Sequence, residues 1–226
     1  MTGLDRLRAS PKIKQFMEDP LYRTQVLLYQ GFFINLAYVL IKLASGLYYH
    51  STWFISLAFY YLILTLIRYS LLRYVRRAPA KGDIPAELRR YRLVGILLVP
   101  MTLALAGMVI LIVTQKEGYV YPGLLIYAMS AYTFYMITVA AVNVVKFRRH
   151  GSPVLSAIMV VNLTAALVSM LSLETAMIAR FGEDAEHFRY ITTGVSGAVV
   201  CAVVLAMASY MIIKATKRLD KEGSRI

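Results

Sequence analysis

The sequence is poor in charge and almost free of cysteine. Only 16% of its 226 residues are charged, whereas 59% are hydrophobic, and the mean hydropathy is +0.60. Soluble domains carry roughly a quarter charged residues, so this composition argues against an ordinary soluble domain. The single cysteine, Cys201, excludes a disulfide framework or a thiolate metal site within one chain.

Acidic residues are scarce as well. Twelve Asp and Glu stand against 25 Lys and Arg, which gives a net charge of +13. In a soluble protein such an excess raises the question of nucleic acid. Here the basic residues cluster between long apolar runs, so they indicate orientation in a lipid bilayer and no nucleic-acid partner.

Long apolar runs are what the sequence does have. A helix needs about 20 mostly apolar residues to cross roughly 30 Å of hydrocarbon. Six runs qualify, at 25–49, 53–74, 93–114, 122–145, 154–177 and 191–213. They must be helices, because an open strand in lipid leaves its backbone groups unpaired. The sequence therefore predicts an all-α, polytopic bundle of six transmembrane helices. The first two form a hairpin around His50, and Pro100 is expected to kink the third.

The basic residues lie mainly on alternate sides of these runs. The N-terminal segment holds five, 68–92 holds eight, 146–149 holds three and 214–225 holds five, together 21 of the 25. Positive residues concentrate on the cytoplasmic side. We therefore expect both termini in the cytoplasm, and a multi-pass protein of the cell membrane, as in a bacterial inner membrane.

Three regions follow from this pattern. Residues 1–24 are a basic amphipathic segment, expected to lie on the inner membrane surface. Residues 25–213 form the six-helix transmembrane domain. Residues 214–226 form a short basic cytoplasmic tail. The charged opening segment lacks an apolar core, so we expect no cleaved signal peptide.

Few ionisable side chains lie within the spans, and each is a candidate functional residue. Lys42 and Glu174 both lie roughly 5–10 Å beneath the outer surface. The favoured interpretation is that Lys42 extends its amine outward and Glu174 sits at the interface. An ion pair between them, or a role in binding or proton movement, are the alternatives. Arg68, near the inner end of the second span, is predicted to anchor at the interface in the same way.

Uncharged polar residues are concentrated in the fifth span. Asn162 and Ser169 are seven residues apart and so share a helix face. With Lys42 and Glu174 they form our candidate polar pathway or intramembrane pair. Glu174 lies roughly 120° around the helix from Asn162, which counts against one continuous stripe. Such residues more often join helices by hydrogen bonds than line a pathway.

Few features of the sequence indicate metal binding or catalysis. All three histidines fall outside the apolar runs, and the eleven methionines show no recurring spacing. The sequence contains no HExxH motif, phosphate-binding glycine loop or nucleophile–base pairing. We therefore expect no metal site, no cofactor and no enzymatic activity.

Small residues recur four apart in the sixth span. Gly197 precedes Cys201, and Ala198, Ala202 and Ala206 follow the same spacing. Small side chains let a second helix approach closely. The contact could form within the chain or across a homodimer.

Two segments resemble the membrane domain of the cation diffusion facilitator family. Asn35-Leu-Ala-Tyr-Val-Leu-Ile-Lys42-Leu-Ala-Ser-Gly46, followed by Ser51, is similar to that family's opening helix and turn. Gly151-Ser-Pro-Val-Leu-Ser-Ala157 is similar to the approach to its metal-binding helix. The resemblance covers roughly residues 25–218. It implies six spans with both ends inside.

The residues that hold the metal in that family are replaced by other residues in this sequence. The family holds its divalent metal with paired acidic or His residues on helices two and five. The resemblance places Tyr60, Leu64, Val161 and Ala165 at those positions, and none is a zinc ligand. We predict that the chain does not transport zinc by the family mechanism. It either moves another small solute or ion past the polar groups of helix five, or has a structural or regulatory membrane role.

Overall fold

Six long helices account for the described chain. The computed structural model describes residues 20–77, 84–114, 123–147, 152–181 and 186–223. The helices are α1 (Pro20–Tyr48), α2 (Thr52–Arg77), α3 (Ile84–Thr114), α4 (Gly123–Phe147), α5 (Pro153–Phe181) and α6 (Glu186–Gly223). Each contains a segment long and apolar enough to cross a membrane, and these ranges contain no strand. The prediction of an all-α, six-span membrane protein is confirmed.

Two helices extend far beyond the apolar runs that predicted them. α3 begins at Ile84 and continues through Pro100, and α6 runs to Gly223. Most of the predicted tail is therefore a continuation of α6. Residues 1–19 of the predicted surface segment lie outside the described residues.

The outer surface of the bundle is apolar. Large hydrophobic side chains such as Phe33, Phe59, Leu103, Ile110 and Phe134 are 58–67% exposed. Exposed apolar surface on this scale would be costly in water but suits a hydrocarbon environment. The protein is therefore an integral, multi-pass membrane protein.

α5 lies at the centre of the helix arrangement. It packs most closely against α4 and also contacts α2, α3 and α6, whereas α1 packs against α2. Its buried residues face several directions, as expected for a helix surrounded by neighbours. The most extensive contact in the bundle is between α3 and α6.

The turn between α1 and α2 is tight, as the sequence predicts. His50 has a positive φ of 48°, the Ser51 amide donates to the Gly46 carbonyl at 3.0 Å, and the His50 amide donates to the Leu47 carbonyl at 3.5 Å. This is the Schellman pattern that ends many helices. A Cβ on Gly46 would lie 2.7 Å from Cγ1 of Ile55, so the glycine lets α2 start directly against α1.

The contact between α3 and α6 is a regular seam. The buried residues of α3 include a series with alternating steps of three and four: Leu88, Tyr91, Gly95, Leu98, Thr102, Leu105, Val109 and Ile112. That repeat is typical of coiled-coil packing. A Cβ on Gly197 would lie 2.6 Å from Cγ1 of Val109. Gly197 therefore allows the close approach that its small size predicted, and the approach is within the chain.

Candidate functional site

Buried polar side chains gather between α1, α2, α4 and α5. We call this set the polar core: Asn35, Tyr38, Lys42, Tyr61, Arg68, Tyr132, Thr133, Asn162, Ser169 and Ser172. Each of its members is at most 5% exposed. Burying polar groups in a membrane protein is costly unless they find partners, so the partners decide what the polar core can do.

Arg68 lies at one end of the polar core, held between α1 and α5. Its guanidinium donates to the carbonyl of Gly31 at 3.2 Å and to Oδ1 of Asn162. The side chain is 2% exposed. The prediction that Arg68 anchors at the interface is therefore wrong. The physical reason is that α1 and α5 cover it and supply two neutral acceptors.

The next turn of α1 continues the polar core above Arg68. Asn35 lies four residues after Gly31, and its Oδ1 accepts a hydrogen bond from the Tyr132 hydroxyl at 2.7 Å. Two donor atoms in this region have no partner among the described residues, Nδ2 of Asn35 and Nε of Arg68. Both are buried N–H groups that need an acceptor. This end of the polar core therefore has unused donors.

Three tyrosine rings occupy the middle of the polar core. Tyr38 and Tyr132 stack with their ring centroids 3.6 Å apart and their planes 3° from parallel. Tyr61 stands almost perpendicular to both rings, at 5.1 Å and 5.8 Å. These rings join α1, α2 and α4 and separate the two basic side chains.

Lys42 lies at the other end of the polar core. It is 0% exposed, and its Nζ donates to Oγ of Ser172 at 3.1 Å. The amine also lies 5.4 Å from the ring centre of Tyr38 and 5.0 Å from that of Phe54, within the range of cation–π attraction. Lys42 therefore does not extend outward as predicted, because these side chains enclose it and Ser172 offers it an acceptor.

Glu174 lies outside the polar core. Its Oε1 accepts a hydrogen bond from Ser196 of α6 at 2.9 Å. It is two residues from Ser172, and that step turns about 200° around a helix. The two side chains consequently face opposite sides of α5. The alternative prediction, an ion pair between Lys42 and Glu174, is therefore wrong. Lys42 bonds Ser172 on one side of α5, whereas Glu174 faces α6 on the other side and bonds Ser196.

Asn162 and Ser169 both belong to the polar core, but they do different things. Asn162 binds Arg68. The Ser169 hydroxyl donates to the carbonyl of Ala166 in its own helix at 2.8 Å, and its own carbonyl accepts from Thr133 at 3.2 Å. Of the four predicted site residues, the structure gathers Lys42, Asn162 and Ser169 and separates Glu174.

The polar core contains two basic side chains and no carboxylate. Four carboxylates have described side chains: Glu87, Glu174, Asp220 and Glu222. Glu87 accepts from Ser152, Glu174 accepts from Ser196, and the other two lie near the end of α6. Lys42 and Arg68 therefore have only neutral partners in the part of the chain that is described.

No group of three or more His, Cys, Asp or Glu that could hold a metal is found within the described ranges. The positions to which the resemblance assigns metal ligands are Tyr60, Leu64, Val161 and Ala165. All four are buried, at 0–3% exposure. They lie in the core beside the Arg68–Asn162 contact, since Arg68 is one turn from Leu64 and Asn162 adjoins Val161.

Sequence reasoning missed the tyrosines of the polar core. Tyr38, Tyr61 and Tyr132 were not among the predicted site residues. A usable signal existed, because tyrosine favours the membrane interface and these three fall well inside apolar runs. A tyrosine at mid-span indicates a polar neighbour for its hydroxyl.

No protein-family model matches this chain, and no curated protein matches it.

Proposed function

We propose that this protein is a non-enzymatic, transporter-like membrane protein that binds a small anion in the polar core and carries it across the bilayer. The observation that carries the proposal is the burial of Lys42 and Arg68 with neutral partners alone among the described residues. Charged side chains inside a membrane are costly and usually pair with each other or serve a pathway. An anionic solute would supply the opposite charge that the described residues do not.

The unused donors favour the same class of solute. Nε of Arg68 and Nδ2 of Asn35 both need acceptors, and an anion offers acceptors alone. The two basic residues stand at different depths. Arg68 donates to the carbonyl of Gly31, which lies eleven residues before Lys42 on α1. Eleven residues of helix correspond to about 16 Å. An anion crossing the bilayer could pass from one to the other, with the tyrosine rings between them.

We further propose kinship with the cation diffusion facilitator bundle, with its cation site replaced. Arg68 and Asn162 adjoin the positions where that family holds its metal. A fixed guanidinium there would repel a divalent cation. It would favour an anion at the same depth, and this supports the prediction that the chain does not move zinc.

Flux through reconstituted protein tests the transport proposal. Purified protein in liposomes should pass at least one of chloride, nitrate and phosphate. Because Arg68→Met and Lys42→Met each remove one charge from the polar core, each should reduce that flux at least tenfold. Glu174→Gln is the matched control, since it neutralises a membrane-embedded charge that faces α6, and it should transport normally. Absence of flux for all three anions, or equal flux in every variant, would rule the proposal out.

The alternative is a structural or regulatory protein that transports nothing. Dense packing beside the polar core favours it, since Trp53, Phe54 and Leu57 are 0–1% exposed. In that case Arg68 and Lys42 would join helices, each through its hydrogen bonds. A protein of this kind would show no flux and would co-purify with a stable partner.

We also propose that two copies associate through α6, in a cell membrane with both termini in the cytoplasm. Ala198, Ala202 and Ala206 lie on the exposed side of that helix. Gly197 by contrast faces α3. The alanine face is therefore available to the α6 helix of a second copy.

A further inference from the structure

A cavity lies between α3, α5 and α6, apart from the polar core. Its volume is about 390 Å³. Residues from the start of α3, the first half of α5 and the second half of α6 line it. These three helix segments belong to the side of the membrane where basic residues concentrate.

One end of this cavity is basic. Lys214 and Arg218 line it and stand one turn apart on α6. Lys214 Nζ lies 3.1 Å from the Tyr210 hydroxyl and 5.0 Å from the centre of that ring, so the amine is held at the cavity wall. Lys214 is also the first residue after the apolar run 191–213, which places both basic side chains at the level of the lipid headgroups.

The other end of the cavity is apolar. Met159, Leu163 and Met207 line it. Leu163 lies ten residues into α5 from Pro153, and Met207 lies eleven residues from Arg218, so the cavity is roughly 15 Å long. Methionine side chains are flexible and fill irregular spaces, which suits a lining that meets a mobile hydrocarbon chain.

We propose that this cavity binds an anionic phospholipid. Its phosphate group would lie against Lys214 and Arg218, and one acyl chain would follow the apolar end towards the membrane centre. Basic pockets between transmembrane helices on the cytoplasmic side are a known form of lipid-headgroup recognition. A free phosphate would use the basic end alone. The length and apolar character of the rest of the cavity favour the lipid.

Three described carboxylates lie on this side of the molecule, Glu87, Asp220 and Glu222, and none of them lines the cavity. Oε2 of Glu87 accepts a hydrogen bond from Ser152 at 2.8 Å. The charge that lines the cavity is therefore positive.

Lipid-dependent thermal stability tests the proposal in full-length protein. Phosphatidylglycerol added to detergent-solubilised protein should raise the unfolding midpoint, whereas phosphatidylcholine should not. The double variant Lys214→Gln/Arg218→Gln should lose most of this rise. Lys217→Gln/Lys221→Gln is the matched control, because it removes the same charge from the same helix outside the cavity, and it should keep the rise.

Three results would overturn the proposal. A saturable rise of the same size with glycerol 3-phosphate would show a site for free phosphate esters. An equal loss of the rise in both double variants would show general attraction to a basic helix. An equal rise with phosphatidylcholine would show no headgroup preference. If the Lys214→Gln/Arg218→Gln variant fails to fold, the charge-preserving variant Lys214→Arg/Arg218→Lys is used in its place. Native mass spectrometry then measures which lipid this variant retains. The swapped pair should retain phosphatidylglycerol over phosphatidylcholine, and equal retention of both would also overturn the proposal.

Discussion

At the scale of single residues, burial rather than charge is what distinguishes Lys42 and Arg68. Both lie near helix ends in the sequence, where long basic side chains usually reach the interface. Both are instead enclosed by neighbouring helices. A sequence shows how far a residue is from the end of its own helix. It does not show which helices stand beside it, and for this reason the two predictions failed.

Asn162 is predicted to stabilise the fold by accepting a hydrogen bond from the buried guanidinium of Arg68. Asn162→Leu keeps the number and branching of the side-chain heavy atoms but removes the amide oxygen, which leaves Arg68 with Gly31 as its only described acceptor. We expect a loss of about 1–3 kcal/mol in the free energy of unfolding. Denaturation in mixed micelles measures it. Asn143→Leu makes the same change at a half-buried site on α4 and should cost less. Equal losses would contradict the role assigned to Asn162.

His50 offers a second test at this scale. Its left-handed backbone is unfavourable for a residue with a side chain and favourable for glycine. His50→Gly should relieve about 1–2 kcal/mol of left-handed strain, of which the greater freedom of glycine in the unfolded chain offsets about 0.4–1 kcal/mol. We therefore expect a net gain in stability, seen as a higher thermal midpoint. His50→Val should lower it, because a β-branched residue tolerates positive φ poorly. A lower midpoint for the glycine variant would show that the His50 side chain has a role of its own.

At the scale of elements, the sequence predicted helix number and type well, and helix lengths less well. Apolar runs identify the part of a helix that lipid requires. α3 and α6 continue beyond lipid because their seam keeps burying residues, at Leu88 and Tyr91 on α3 and at Ala215 on α6. That continuation depends on the partner helix, which hydropathy does not reveal.

The seam between α3 and α6 depends on the absence of a side chain at Gly197. Gly197→Ala would place its Cβ against the stiff Val109 side chain, and we expect a cost of about 1–3 kcal/mol. Val109→Ala in the same chain should recover most of that loss by opening the space. Gly107→Ala is the control: nothing lies within 4 Å of the added Cβ, and it should be neutral or stabilising. A failure of Val109→Ala to restore stability would contradict the packing described.

At the scale of the whole molecule, the proposed dimer makes a direct prediction. In a Cys201→Ser background, Ala202→Cys should form a cross-linked dimer on oxidation in membranes, because residue 202 lies on the exposed side of α6. Phe33→Cys, exposed on α1, is the control and should remain monomeric. Cross-linking that is no stronger for Ala202→Cys than for Phe33→Cys would argue against association through α6.

The arrangement of charge over the whole molecule was only partly predictable. The excess of basic residues on one side of the spans is visible in the sequence. The placement of Lys42 and Arg68 in one polar core, away from Glu174, is not. It depends on which face each of α1, α2 and α5 turns towards the others, and that is decided by packing.

The sign of the charge that crosses the membrane tests the central proposal most directly. Liposomes containing the protein can be adsorbed on a solid-supported membrane and exposed to a jump in anion concentration with an impermeant cation. We expect a transient current that carries negative charge into the liposomes, lost in Arg68→Met and retained in Glu174→Gln. A current of positive charge driven by a cation gradient, or no current with any anion tested, would contradict an anion pathway through the polar core.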